Sequence, residues 1–202
     1  MTRRVLKMAV GALVALALGG GVFVGTAAAA YPPTVFPPPP APPRNDQFVN
    51  AMVLSPNPTV FGISPVAGDI RTATAERGEP NHAGFGGSAH QSVWYQWRAP
   101  RNGIVEFNTC NSHFDTELGV YTGSPVSALA VVAQDDDADD FLDNPCGSTY
   151  PFYFNSVVQF PATAGTTYRI AVDGFYPDGF YNNSAFFLNY RYLSVPNGTD
   201  AR

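Results

Sequence analysis

The sequence has few charged side chains, few histidines and few cysteines. Its 202 residues include 11 Lys and Arg, 16 Asp and Glu, 3 His and 2 Cys. Nucleic acids and anionic membranes bind through clusters of basic side chains, so neither is an expected partner of this acidic chain. No histidine stands in an HExxH or another recognised zinc spacing, which argues against transition-metal catalysis.

Helical periodicity is also scarce. From about residue 45 onward no helical pattern exceeds three turns, whereas short β-branched and aromatic segments recur between Gly, Pro, Asn and Asp clusters. The clearest segments are 92–99, 104–110, 117–121, 130–133, 156–160, 167–173 and 185–192. Seven or eight such strands predict an all-β fold, an antiparallel β-sandwich of jelly-roll type.

Two local patterns refine this fold prediction. In 167–173, Tyr168, Ile170 and Val172 alternate with smaller or polar residues, as expected of a strand with one face on a core. The Asn102-Gly103 dipeptide predicts a hairpin between the first two segments. Trp94 and Trp97 fall on opposite faces of their strand, and we expect both to be structural.

The first thirty residues have the order of a secretory signal peptide. A short basic region precedes an apolar stretch over 8–24, and a tract of four alanines follows at 27–30. This order predicts export and cleavage before Tyr31. An uncleaved membrane anchor is the alternative, because the apolar stretch is near the lower length limit for crossing a bilayer.

The remaining chain divides by composition. Eight of the thirteen residues 31–43 are proline, so 31–44 is predicted to be an extended polyproline linker. Residues 45–193 form the predicted β-sandwich domain, rich enough in Phe and Tyr to bury a core, and 194–202 form a short tail. We expect a monomer that is secreted or associated with the cell envelope, without membrane insertion after signal cleavage.

The two cysteines are Cys110 and Cys146. An even count in an exported protein predicts one disulfide between them. The alternative is a pair of free buried thiols.

An acidic run follows the fourth predicted strand. Residues 135–143 contain six aspartates. Like charge of this density favours a bound cation, and hard oxygen ligands suit Ca²⁺. The alternative is a solvated acidic turn that promotes solubility.

Five sequence blocks together resemble the bacterial pre-peptidase C-terminal (PPC) domain. They are 45–48, 77–84, 92–100, 114–123 and 135–136. The resemblance implies a secreted, non-catalytic jelly-roll sandwich, of which some members bind calcium and some bind a substrate polymer. Carried over by motif, the implied calcium ligands are Asn45, Asp46, Glu79, Asp115, Asp135 and Asp136. The acidic run is longer than the usual aspartate pair of the family, which leaves open which aspartates bind.

A second candidate site is aromatic. Phe175, Tyr176, Phe180 and Tyr181 crowd a turn-rich segment between two predicted strands. Exposed rings on such a loop can stack on sugar or on extended peptide. The alternative is a loop that covers the open end of the sandwich.

These features support three hypotheses. The first is a non-catalytic exported module with a structural calcium site, which presents loops to an extracellular polymer or protein. The second is a lectin-like carbohydrate-binding domain that uses the aromatic loop. The third is a small exported hydrolase whose acids pair in space, drawn from Glu76, Glu79, Glu106, Asp115 and Glu117.

Overall fold

The described part of the chain is built from strands. The computed structural model describes residues 40–57, 66–83, 88–138, 146, 154–175 and 184–193. The chain divides into Met1–Pro38 and Pro39–Arg202, and every described residue belongs to the second unit. The predicted signal peptide, most of the proline-rich linker and the tail at 194–202 lie outside the described residues.

Nine strands account for the regular structure of these ranges. They are β1 (Met52–Val53), β2 (Val66–Asp69), β3 (Val93–Arg98), β4 (Gly103–Asn108), β5 (Thr116–Thr122), β6 (Ala130–Asp135), β7 (Val157–Ala162), β8 (Thr167–Gly174) and β9 (Ala185–Tyr192). The helices in the same ranges are two 3-10 turns, Phe48–Asn50 and Val126–Ala128. Within the described ranges, no helix is long and apolar enough to cross a membrane.

The strands form two sheets. One has the order β1-β3-β8-β5-β6 and the other β2-β9-β4-β7. All described pairings are antiparallel except β1 with β3. Strands β2, β3, β4 and β5 pair in turn with β9, β8, β7 and β6, which is the pattern of one long hairpin rolled into a jelly roll. The predicted fold class is confirmed.

The main core lies between the two sheets. Its aromatic centre is Trp97, whose ring centroid lies 5.7 Å from that of Phe107, and Phe107 stacks on Tyr190 at 5.3 Å. Ile170 and Val172 are fully buried on the same side of β8, as the alternation of that strand predicts. Burial of these large apolar surfaces supplies the main driving force for folding.

A second apolar cluster covers the outer face of the five-stranded sheet. Phe48, Trp94, Tyr121 and Ala171 form it, and all four are buried. Trp94 meets the Phe48 ring edge-on at a centroid distance of 5.1 Å. Trp94 and Trp97 therefore lie on opposite faces of β3, and both are structural as expected.

The predicted hairpin at Asn102-Gly103 is wrong. Strand β3 pairs with β1 and β8, whereas β4 pairs with β7 and β9 in the other sheet. Residues 99–102 separate the two strands, and Asn102 Oδ1 accepts a hydrogen bond from the Ala164 backbone N–H at 2.7 Å. The turn chemistry correctly indicated a change of direction, but the chain uses it to cross between sheets.

Candidate functional site

The candidate site forms where two neighbouring strands meet at one end of the five-stranded sheet. Asp115 directly precedes β5, and Asp136 and Asp137 directly follow β6. Because β5 and β6 are antiparallel, with Leu118 opposite Asp135, the start of one strand lies beside the end of the other. The pairing thus brings together carboxylates that are about twenty residues apart in sequence.

These three side chains form a compact carboxylate group. One oxygen from each of Asp115, Asp136 and Asp137 lies within 4.8 Å of the other two. Asp115 is 8% exposed and Asp136 is 7% exposed, whereas Asp137 is exposed. The Oδ1 atoms of Asp115 and Asp136 are buried and have no hydrogen-bond partner. Buried polar atoms are nearly always paired, so these two oxygens are a costly exception.

A further pair of acids adjoins the group. Glu117 and Asp173 stand directly opposite each other on β5 and β8. Asp173 is satisfied by the backbone N–H groups of His90 at 2.8 Å and Gln91 at 2.7 Å. Glu117 is 3% exposed, and its Oε2 atom has no partner. Like charges facing each other across a ladder are destabilising, so this pair adds to the strain of the site.

The environment raises the pKa values of the buried acids. Burial, followed by repulsion from Asp136 and Asp137, raises the pKa of Asp115 to about 7. Burial and then the facing Asp173 raise the pKa of Glu117 to about 8. Burial and then the neighbouring Asp137 raise the pKa of Asp136 to about 6. Each shift means that the folded protein opposes the charged form of the carboxyl group.

Within the described ranges, no basic side chain forms an ion pair with Asp115, Asp136 or Glu117. Among the residues that the structure describes, the ion pairs join Arg71 to Asp69, His82 to Glu79 and Arg191 to Glu106. The sequence contains a single lysine, Lys7, far from this segment of the chain. Unpaired buried carboxylates of this kind either take up protons or bind a cation.

Asn45 and Asp46, two ligands implied by the family resemblance, are not members of the carboxylate group. Asn45 Nδ2 donates to the Trp94 carbonyl at 3.1 Å. Asp46 Oδ1 accepts from the Thr74 N–H at 2.6 Å, and its Oδ2 accepts from the Thr74 hydroxyl and from Gln47, both at 3.0 Å. These bonds hold the start of the domain against the segment that contains Thr74.

Glu79 and Asp135 also direct oxygens to other partners. Glu79 Oε1 lies 3.1 Å from His82 Nε2 and accepts the Ser92 hydroxyl, and its Oε2 accepts the Glu76 N–H at 2.6 Å. Asp135 Oδ2 accepts the Val157 N–H at 2.7 Å, which ties β6 to β7. Of the six residues implied by the resemblance, the structure brings Asp115 and Asp136 together.

Sequence reasoning did not select Asp137, Glu117 or Asp173 as ligands. Asp137 lies within the acidic run, but the family pattern stops at Asp136. Glu117 follows Asp115 by two residues, and the period of a strand places such residues on one side. That spacing was a usable signal, whereas the approach of Asp173 depends on the pairing of β5 with β8.

Cys110 and Cys146 form the predicted disulfide, with an S–S distance of 2.04 Å. The bond closes a chain segment of 36 residues that contains Asp115 and the acidic run.

The aromatic segment begins beside the carboxylate group. Phe175 is 39% exposed, and its backbone N–H donates to the Asp115 carbonyl at 3.1 Å. Tyr176, Phe180 and Tyr181 lie outside the described residues.

Comparisons with known proteins find similarity in shape at low sequence identity. No family model matches the chain, and no curated protein matches it. One similar structure is CorA, described as a surface-associated copper-binding protein of Methylomicrobium album BG8, with a TM-score of 0.39 and 10% identity over 72% of this chain and 98% of that one. Another is the K3 cleaved adhesin domain of Lys-gingipain from Porphyromonas gingivalis, with a TM-score of 0.29 and 16% identity over 63% of this chain and 71% of that one.

Proposed function

We propose that this protein is an exported, non-catalytic β-sandwich module that binds Ca²⁺ at the carboxylate group and presents the adjacent loops to an extracellular polymer or protein. The observation that carries the proposal is the convergence of Asp115, Asp136 and Asp137 within 4.8 Å, with unpartnered oxygens on the two buried members. The signal-peptide pattern and the PPC-like sequence blocks support the exported, non-catalytic role.

The donor set suits calcium better than other common metals. Every candidate ligand atom is a carboxylate oxygen, and hard oxygen donors favour Ca²⁺ over zinc or copper, which take nitrogen and sulfur. Asp115, Asp136 and Asp137 would hold the ion, and its charge would offset the repulsion among these carboxylates that helps to raise the pKa of the neighbouring Glu117. Calcium takes six to eight oxygens in flexible geometry, so backbone carbonyls and water can complete the shell.

The position of the group explains what calcium would do. Asp115 belongs to the connection between β4 and β5, and Asp136 belongs to the connection after β6. The Asp115 carbonyl also accepts the Phe175 N–H, at the start of the aromatic segment. One ion would therefore draw together three connections at the same end of the sandwich and order the surface that faces a partner.

Thermal unfolding with and without calcium tests the proposal. We expect calcium to raise the melting temperature and a chelator to lower it, because an ion bound only by the folded state stabilises by mass action. At calcium a hundredfold above its dissociation constant the gain is about 2.7 kcal/mol. A melting curve that is the same in millimolar calcium and in chelator would contradict the proposal.

Two matched variants locate the site. Asp136→Asn removes a charge from the carboxylate group and should abolish the calcium response. Glu79→Gln removes the charge of a carboxylate whose oxygens already accept hydrogen bonds within the protein. It should lower the melting temperature, while the calcium response persists. A response lost in Glu79→Gln and kept in Asp136→Asn would place the ion at the other acids of the family pattern.

A further inference from the structure

The outer face of the four-stranded sheet carries a second polar site, which is separate from the carboxylate group. Polar side chains on an outer sheet face ordinarily point into water, yet here three of them are nearly buried. Glu106 is 3% exposed, Asn189 is 8% exposed and Asn108 is 9% exposed. They border a cavity of about 240 Å³, which is also lined by Asn111, Arg191 and the Cys110–Cys146 disulfide.

The strand register places these side chains in two adjacent rows. Glu106 on β4 stands opposite Arg191 on β9, and Asn108 stands opposite Asn189. Arg191 Nη2 donates to Glu106 Oε1 at 2.8 Å, and Asn189 Nδ2 donates to Asn108 Oδ1 at 3.0 Å. Asn108 Nδ2 donates in turn to Glu106 Oε1 at 3.1 Å, which links the two rows into one network.

The network is held in place by its surroundings. Glu106 Oε2 accepts from Gln159 Nε2 at 3.0 Å on the neighbouring β7. Asn108 Oδ1 accepts the Cys110 N–H at 3.2 Å, and Asn189 Nδ2 also donates to the Cys110 carbonyl at 3.3 Å. Cys110 is also disulfide-bonded to Cys146. The disulfide and these hydrogen bonds together restrain the positions of Asn108 and Asn189 beside the cavity.

Several polar atoms of the lining have no hydrogen-bond partner among the residues that the structure describes. Arg191 Nε is buried with no hydrogen-bond partner. Asn189 makes its described hydrogen bonds through Nδ2, so its Oδ1 acceptor is available. The described hydrogen bond of Asn111 uses its backbone N–H, and its exposed side-chain amide is bonded to none of the described residues. The cavity thus offers donors and acceptors side by side.

Charge and size define the class of ligand. The Glu106 carboxylate disfavours an anion and the Arg191 guanidinium disfavours a cation, while their pairing leaves the site close to neutral overall. Sugar hydroxyls each donate and accept hydrogen bonds, which matches the mixed polar atoms of the lining. The volume is below the roughly 300–1,000 Å³ of pockets for drug-sized ligands, so it suits a single sugar ring.

An exposed aromatic ring stands next to this polar lining. Phe187 is 39% exposed and lies two residues before Asn189, on the same outer face of β9. Its backbone N–H donates to the Ser112 hydroxyl at 3.1 Å, which keeps it beside the loop that carries Asn111. A sugar ring presents apolar C–H groups on its face, and these can pack against an exposed aromatic ring.

We propose that this cavity binds one uncharged sugar ring, with Asn189, Asn111 and Arg191 as its hydrogen-bonding residues and Phe187 as its apolar platform. The inference rests on the proposed role of the chain as an extracellular binding module, and it assigns a carbohydrate to that role. It differs from the lectin-like hypothesis in its location, since it uses the sheet face instead of the aromatic segment 175–181.

The test is a titration of the full chain with single sugars, monitored by NMR. The probes are glucose, galactose, mannose and N-acetylglucosamine at millimolar concentration, with acetate and methylammonium as charged comparisons. We expect at least one neutral sugar to shift the resonances of Asn189, Asn111 and Phe187, and neither ion to do so. Preferential shifts with either ion at these residues would overturn the assignment of a neutral ligand.

Two variants and a control locate the binding. Asn189→Ala removes an acceptor, and Asn111→Gly removes a side chain at a backbone φ of 69°, which glycine adopts without strain. Each should weaken binding about tenfold, the equivalent of about 1.4 kcal/mol. Asn50→Ala, at an exposed position over the other sheet, should leave it unchanged. If Asn189→Ala fails to fold, Asn111→Gly alone decides the outcome.

The calcium measurements separate this inference from the proposed function. The melting temperature of the same sample is recorded in calcium and in chelator. No sugar binding together with an intact calcium response overturns the sugar site and leaves the calcium-stabilised module standing. Sugar binding that is equal in the parent and in both variants also overturns the site. Sugar binding that is lost in the variants, without any calcium response, supports the site and contradicts the calcium proposal.

Discussion

Replacing Asp115 with asparagine should stabilise the metal-free protein and abolish its response to calcium. The substitution preserves the shape of the side chain and removes its charge. Asp115 is 8% exposed, and its Oδ1 atom has no hydrogen-bond partner. Burial, together with Asp136 and Asp137, raises its pKa from 3.8 to about 7. Without a bound cation, the ionised Asp115 carboxylate therefore destabilises the folded state.

The size and the pH dependence of the effect follow from that pKa. Each unit of pKa difference between folded and unfolded states is worth about 1.4 kcal/mol, so ionised Asp115 costs about 4 kcal/mol at pH 8. Because the folded pKa lies above the unfolded value, the folded state retains the proton more strongly. The metal-free protein should then be most stable near pH 4 and should lose stability as the pH rises through 7. The asparagine variant lacks this loss.

The assay is the free energy of unfolding by denaturant at pH 4, 6 and 8, measured in chelator and again in calcium. We expect parent and variant to agree at pH 4, and the variant to be more stable at pH 8 in chelator. In calcium a hundredfold above its dissociation constant, the parent should gain about 2.7 kcal/mol and the variant nothing, so the difference between them at pH 8 should narrow. Asp69→Asn is the control, since Asp69 is half-exposed and pairs with Arg71 at 2.8 Å outside the carboxylate group. A metal-free Asp115→Asn protein that is less stable than the parent at pH 8 would refute the reasoning.

Two further substitutions test the frame around the sites. Cys146→Ser opens the 36-residue segment and should cost roughly 3 to 4 kcal/mol of stability by the chain-entropy model, which denaturant unfolding measures. Because the segment contains Asp115, the variant should also bind calcium more weakly. An unchanged affinity in a calcium titration would show that the disulfide and the metal site are independent. Gly119→Ala drives a methyl group into the side chain of Tyr121, whose hydroxyl is hydrogen-bonded to His82 at 2.8 Å and cannot move freely, so it should cost about 1 to 3 kcal/mol. An unaltered melting temperature would show that Tyr121 yields without cost.

The strands and their buried faces could be predicted because they depend on local periodicity. The alternation of Tyr168, Ile170 and Val172 identified the core side of β8, and the spacing of Trp94 and Trp97 placed them on opposite faces of β3. The disulfide was predicted from the even cysteine count together with the signal-peptide pattern. Each of these inferences uses neighbouring residues or composition, and none requires knowledge of which strands pair.

The pairing itself could not be predicted from local signals. The turn at Asn102-Gly103 is typical of a hairpin, but the strands on either side of it belong to different sheets. A jelly roll pairs strands that are far apart in sequence, so a turn signal identifies where the chain bends and not what the next strand meets.

The sequence by itself predicted an all-β chain with the pattern of an export signal and a disulfide, and it showed an acidic run and more carboxylates than its basic residues can neutralise. Only the tertiary structure decided which carboxylates share a site. The carboxylate oxygens of Asp46 and Glu79 accept hydrogen bonds within the protein. Asp115, Asp136 and Asp137 converge because β5 and β6 are antiparallel neighbours. The Glu106 network likewise depends on the register of β4 with β9. Charge density is a property of composition, but a binding site requires convergence in space, and strand pairing provides it.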